Sequence, residues 1–163
     1  MELYDTRGQR KYLTHHERDR FLKAARSTPT PDRAFREILA YSGCRLSEAL
    51  ALMPDRVDPA AGVVVFESLK KKRRGIFRAA PMSTGLLETL ARLQLHNARF
   101  GLGPALWSWS RATAWRRVRA VMRAAGVDAA AATPRGLRHA FGIVAVAAAV
   151  PLAIIQKWMG PPQ

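Results

Sequence analysis

Helix start and stop signals recur along this chain so closely that a stack of short and medium helices is the architecture that satisfies them. Thr14 and Glu17 form a capping box, in which each side chain satisfies a backbone N–H of the first turn. The helix it opens runs to about Arg26, with Phe21, Leu22 and Ala25 on one side. Pro31 suits the first turn of a second helix, which carries Phe35, Ile38 and Leu39 to Ser42 and is stopped by Gly43. A short helix, RLSEALAL, follows at once. Thr84 to His96 carries Leu86, Leu87, Leu90 and Leu93 at helical spacing. Ser110 caps a helix to about Ala125, ended by Gly126. There Trp115, Val118 and Met122 share an apolar stripe, and Arg116, Arg119 and Arg123 lie on the neighbouring one. Thr133-Pro134 starts a helix to about Ala149, and Pro151 starts the last, which ends at Gly160. The apolar run from Ala140 to Ile155 is too short for a membrane span and contains Pro151, so it reads as two buried helices meeting at the proline.

One interruption stands out. Val63-Val64-Val65-Phe66 is a strand signal, and Ile76 to Ala80, closed by Pro81, is its return. Leu69 to Gly75 is the basic tip between them, and Pro54 to Gly62 is a turn-rich approach. The expected fold is mainly α with a small antiparallel β-sheet, an α+β domain. No internal repeat or dividing linker appears, so residues 1–12 read as a lead-in and 13–163 as one domain.

Composition then bounds the partner. The 163 residues include 27 Lys and Arg against 12 Asp and Glu, a formal net charge of +15. So much like charge in one domain calls for a polyanion, and nucleic acid is the usual one. The single cysteine, Cys44, allows no internal disulfide and fits a reducing, cytoplasmic setting. One Cys and four His without ligand spacing predict no metal site, and the polar N-terminus is no signal peptide.

Three basic features fall where a fold holds side chains still. Arg45 starts a helix just after Gly43, with Glu48 three residues on along the same face. LKKKRRG occupies the hairpin tip. PRGLRHAFG puts Arg135, Arg138 and His139 on one face of a helix's first turns. Paired guanidinium forks are suited to the non-bridging oxygens of a phosphate and to the extra charge of its pentacoordinate state. Each feature has a plainer reading beside it. Arg45 and Glu48 could be an exposed ion pair, the basic tip a solvated turn, and His139 a satisfied core histidine. Tyr41 and the residues Trp107, Trp109 and Trp115 read as packing groups, and Cys44 as a small packing residue.

In order along the chain, four segments resemble the boxes of the tyrosine recombinases of the phage-integrase type. YSGCRLSEALAL is similar to the box that presents their first catalytic arginine. VVVFESLKKKRRGIFRAAPM resembles the β-hairpin that delivers a catalytic lysine. TPRGLRHAFGI resembles the H-x-x-R box, and PLAIIQKWMG the helix before the family's H/W position. The resemblance spans about Leu13 to Gly160. It implies an integrase-like catalytic domain, double-stranded DNA as partner, and a reversible transesterification through a phosphotyrosine that needs no cofactor. It also implies assembly with other recombinase subunits, no membrane, and a cytoplasmic, nucleoid-associated setting in a bacterium or mobile element.

Carried over by position, the resemblance makes Arg45 and Arg138 the scissile-phosphate ligands and Lys70 the general acid, with Lys71 the alternative. Arg135 stands where most members have histidine, and His139 supports the site. Glu48 orders the arginine helix. Lys71, Lys72, Arg73, Arg74, Arg116, Arg119 and Arg123 are further expected DNA contacts. The sequence departs from the pattern at Pro161, where the family has His or Trp, and in its tyrosines. These are Tyr4, Tyr12 and Tyr41, none at the nucleophile position. The expectation is therefore a DNA-binding recombinase domain that ends before its nucleophile, lacks the family's N-terminal core-binding domain and does not cleave alone. The alternatives from other classes are a non-catalytic DNA-binding regulator or accessory subunit, and a basic RNA-associated protein.

Overall fold

A computed structural model describes residues 2–69 and 75–160 of the protein. Among them are seven helices: α1 (His15–Ala25), α2 (Thr30–Ser42), α3 (Leu46–Leu50), α4 (Thr84–Phe100), α5 (Arg111–Ala124), α6 (Pro134–Ala147) and α7 (Leu152–Met159). A three-stranded antiparallel sheet in the order β1 (Val57–Asp58), β2 (Val63–Glu67), β3 (Phe77–Pro81) is inserted between α3 and α4. The fold is mostly helical with one small antiparallel sheet, as the sequence predicts.

The signals act as expected at most ends. Thr14 accepts from the Glu17 N–H at 3.1 Å while Glu17 accepts from the Thr14 N–H at 2.9 Å, completing the capping box of α1. Ser110 and Thr133 cap α5 and α6 through the N–H groups of Thr113 and Gly136. The turn-rich approach holds a short 3-10 turn, Pro54–Arg56, and the edge strand β1, both too brief to show in hydrophobic periodicity. Helix α4 continues four residues past His96 to Phe100, because Gly101, at φ 62°, supplies the left-handed stop.

One core joins most elements. Phe21, Phe35, Ile38, Leu39, Leu93, Val118, Met122 and Leu137 are all essentially sealed from solvent. Two arginines serve this core: Arg18 donates to the Ala40 carbonyl and Arg36 to that of Arg117. Trp107 is buried, donates its indole N–H to Pro31 O at 2.8 Å, and meets Phe35 edge-on.

Two packing expectations give way. The stretch around Pro151 is not a pair of buried helices. Ala145, Ile155 and Met159 form a separate small cluster, backed by Phe141 and Val150, while Val146 and Leu152 on the other faces are 62% and 66% exposed. The first turns of α6 pack on α1, α2 and α5, but its last turns and α7, which packs mainly on α6 and β3, leave their outer faces to solvent. Trp115 is 41% exposed and lines a cleft instead of packing inward. It shares the stripe of Val118 and Met122 but lies near the N-terminal end of α5, where the helix reaches past the core to the cleft.

Two glycines let elements meet. Gly43, at φ 66°, packs so closely on α6 that a Cβ would lie 2.5 Å from Phe141. In the first turn of α6, a Cβ on Gly136 would fall 1.8 Å from the backbone oxygen of Ala131, and Gly136 O accepts the Leu13 N–H at 3.3 Å. Backbone cannot yield as a flexible side chain does. Gly136→Ala is therefore expected to lower the thermal midpoint by roughly 10 °C, from about 3 kcal/mol of strain in a domain of this size. Circular-dichroism melting checks this, and an unchanged midpoint would show that the loop before α6 adapts.

Candidate functional site

The close approach of Gly43 to Phe141 sets the end of α2, and with it the start of α3, against α6. Arg45 is the N-cap residue of α3, and Arg138 lies one turn into α6. Both line one cleft of about 870 Å³, together with Arg135, His139, Arg111, Trp115 and Lys11. The two arginines, 93 positions apart in sequence, thus face the same space.

Arg138 is held by backbone. Its Nη1 donates to the carbonyls of Gly43 and Met159, the latter at 3.0 Å, so one nitrogen ties the α2–α3 turn and the end of α7 to α6. Nη1 carries two hydrogens, and both are committed. Among the described residues no acceptor is paired with Nη2 or Nε, the edge that suits two oxygens of a phosphate. Burial, then the neighbouring charge of Arg45, lowers the Arg138 pKa to about 10; the group stays cationic at neutral pH. Like charges held this close form a site that an anion stabilises.

Glu48 supplies the counter-charge from beneath. Its side chain is 1% exposed, which removes the reading of Arg45 and Glu48 as a surface pair. Glu48 Oε1 accepts the Arg45 backbone N–H at 2.8 Å, fixing the start of α3. Burial opposes its charge, but hydrogen bonds and charge from Arg78, with further help from Arg45, win and hold the carboxyl below its ordinary value. Arg78, on β3, grips both oxygens, at 2.7 and 2.8 Å.

Sequence reading passed over Arg78. The signal was present in the strand alternation, because Arg78 shares a face with buried Ala80 and pairs across the ladder with buried Phe66. An arginine on the inward face of a strand has a carboxylate or carbonyl to meet. Lys11, Arg111 and the cleft-lining role of Trp115 were also missed, as they belong to no motif.

The remaining expected residues divide. Arg135 is exposed on the cleft. His139 lines it with both ring nitrogens buried and unpartnered among the described residues, so it is not a satisfied core histidine. Burial first, then Arg135 and Arg138, lowers its pKa, leaving a neutral imidazole at physiological pH. Of the α5 stripe, Arg116 and Arg123 are exposed, whereas Arg119 donates to Ala132 O at 2.6 Å and steadies the loop before α6. None of the three is among the residues lining the cleft. Lys70, Lys71, Lys72, Arg73 and Arg74 lie outside the described residues, as does Pro161; Leu69, just before them, lines the cleft.

The other nucleophile candidates stay where sequence put them. Cys44 is fully buried and its thiol is pushed up to about 12, first by burial. Tyr41 packs against the core under the Arg18 guanidinium, and Tyr4 meets Tyr12 edge-on. Among the described residues no group of His, Cys, Asp and Glu could hold a metal, and no helix is long and apolar enough to cross a membrane.

Comparison with known proteins agrees with this architecture. A family-wide sequence profile, the phage integrase family, matches residues 11–160. The chain is 30% identical over 139 residues to tyrosine recombinase XerD of Mycobacterium leprae (strain TN), covering 79% of this chain and 44% of that protein. It thus spans less than half the length of this relative. Among solved structures, XerA recombinase superposes with a TM-score of 0.78 at 24% identity, over 93% of this chain and 56% of that one. XerH site-specific recombinase bound to difH substrate gives 0.81 at 17%, over 95% and 48%. The catalytic core of lambda integrase gives 0.69 at 19%, over 93% and 91%.

Proposed function

The chain belongs to the phage integrase family, and on that premise we propose that its cleft grips the backbone of double-stranded DNA for site-specific recombination. The observation that carries this reading is the convergence of Arg45, Arg135 and Arg138 on one cleft, with the one buried carboxylate beneath them already held by Arg78. Arg45 and the outward edge of Arg138 bind the non-bridging oxygens of a single phosphate, and their charge opposes the charge that builds up as that phosphate is attacked.

Arg135 adds a cation at the position where most members have histidine, and Lys11 and Arg111 extend the basic wall to flanking phosphates. Lys70, or Lys71, both outside the described residues, delivers a proton to the leaving oxygen. His139, neutral and without a partner among the described residues, is a hydrogen-bonding group of the cleft wall. Among the described residues no tyrosine lines the cleft, so phosphate capture is assigned to this chain and the nucleophile to none of those residues. In the family's reaction that nucleophile forms a covalent phosphotyrosine. XerH appears in its complex with a DNA substrate and lambda integrase as a dimer on a core site, which supports duplex DNA and a second recombinase subunit as partners.

Competition binding tests the reading. The protein is expected to bind duplex DNA with log affinity falling linearly in log salt, at a slope of about −3 to −5 for the basic groups of the cleft and its flanks. Duplex DNA should displace RNA of equal length. RNA outcompeting DNA, or binding indifferent to salt, would instead favour a general RNA-associated protein.

A further inference from the structure

Glu48 is reached by two arginines, and which one it holds matters. The Arg78 fork takes both carboxylate oxygens at 2.7 and 2.8 Å, while the Arg45 side chain stands 3.5 Å from Oε2, at the limit of a hydrogen bond. The default of a helix start is the reverse. Arg45 and Glu48 are three residues apart on one face, the spacing at which local ion pairs form. We infer that Arg78 is the positioning residue of the phosphate site: by occupying Glu48 it keeps Arg45 from settling onto that carboxylate and directs its guanidinium to the cleft. The inference rests on the phosphate-binding reading and deepens it.

Three further contacts fix the Arg78 fork in place. Its Nε donates to Trp158 O at 2.7 Å, its Cζ lies 5.4 Å from the centre of the Phe66 ring, and Gly160 passes close by. Any Cβ on Gly160 would come within 3.2 Å of Nη1, and Gly160 has a φ of 82°. A planar guanidinium with five donors can hold two carboxylate oxygens and a carbonyl at once. An ammonium in the same place is a point charge without that geometry, and would leave one oxygen of Glu48 to Arg45. Arg78 therefore acts through Glu48 on Arg45, and touches no phosphate itself.

The test is a salt series of duplex binding on the intact chain, well below the melting temperature of every variant. Arg45→Ala reads the functional premise and should make the salt slope shallower by about one. Arg78→Lys keeps the net charge, yet is expected to weaken binding roughly threefold to tenfold and to make the slope shallower in the same sense. In the Arg45→Ala background, Arg78→Lys should add nothing further. Glu48→Gln in the Arg78→Lys background should restore binding, because an amide still accepts the Arg45 N–H but no longer attracts its guanidinium. A merely structural role would move the melting temperature and leave the slope alone.

Should Arg78→Lys not fold, Gly160→Ala presses on the same guanidinium without removing a charge, and is expected to shift the slope in the same direction. An altered slope for Arg45→Ala with an unaltered one for Arg78→Lys (or for Gly160→Ala in its place) overturns the role of Arg78 alone. Additive losses in the double variant do the same. An unaltered slope for Arg45→Ala overturns the phosphate reading, and the positioning role falls with it.

Discussion

Replacing Arg45 and Arg138 together by alanine is expected to weaken duplex DNA binding on the order of 100-fold at moderate salt, and to make the salt slope shallower by about two. The magnitude follows from the chemistry. A charge-assisted hydrogen bond contributes about 1.5–3 kcal/mol, and two such ligands on one phosphate come to a few kcal/mol. Each lost phosphate contact removes about 0.9 from the slope. Arg138 has a second role that the experiment must separate. Its Nη1 bonds to Gly43 and Met159 hold the α2–α3 turn and the end of α7, so Arg138→Ala also loosens the fold. Arg45→Ala keeps the backbone N–H that Glu48 accepts at the start of α3, so its single variant reports on binding with less structural cost. Affinity at several salt concentrations, beside a melting curve for each variant, checks both. A double variant whose slope equals the wild type would remove Arg45 and Arg138 from the phosphate site.

Glu48→Ala is expected to be the most destabilising single substitution in the site, by about 3–5 kcal/mol, because it leaves buried positive charge without its partner. For a domain of this length that corresponds to a fall in melting temperature of roughly 10 °C or more. The pH dependence should change with it. The Glu48 carboxyl is held below its ordinary value, so its stabilising effect is complete above pH 4.5 and is lost as pH falls through the lower value of the folded state. The His139 pKa is also lowered. Folding then favours the neutral ring, with full effect above pH 6.5 and a loss of stability as acid protonates the unfolded chain first. Wild type should therefore lose stability in two stages on acidification, and Glu48→Ala should have a smaller acid stage, the remainder belonging to Glu17, whose carboxyl is held below its ordinary value against burial by hydrogen bonds from Arg10 and Thr14. Melting temperatures from pH 8 to pH 3 check this; an acid stage undiminished in Glu48→Ala would assign it to other carboxylates.

Much of this was legible before any coordinates. Thr14 with Glu17, Ser110, and Thr133 with Pro134 announced three helix starts because capping is local chemistry, written within four residues. Arg45 and Arg138 were readable because both sit beside such signals, at a helix N-cap and one turn into a capped helix. What was not legible depends on distance. Arg78 looked like one basic residue among many, since Glu48 lies 30 positions away and Trp158 lies 80. The inward turn predicted for Trp115 failed because it shares the stripe of Val118 and Met122 but sits near the start of α5, and only tertiary packing decides how far along a helix the core extends. The burial expected of the whole run around Pro151 failed for a related reason: apolar sequence records what can be buried, and the last turn of α6 and the start of α7 run past the surfaces that cover the rest. Within the lead-in, residues 1–12, Lys11 lines the cleft.

The two carbonyl bonds of Arg138 have a thermodynamic consequence. A free arginine side chain samples many rotamers, and stilling it costs about 2 kcal/mol. Here folding itself has already removed that freedom, because the nitrogen that pins two backbone segments is rigidly joined to the edge that awaits a ligand. An arriving phosphodiester meets a guanidinium whose torsions are set, and its association carries correspondingly less entropic loss.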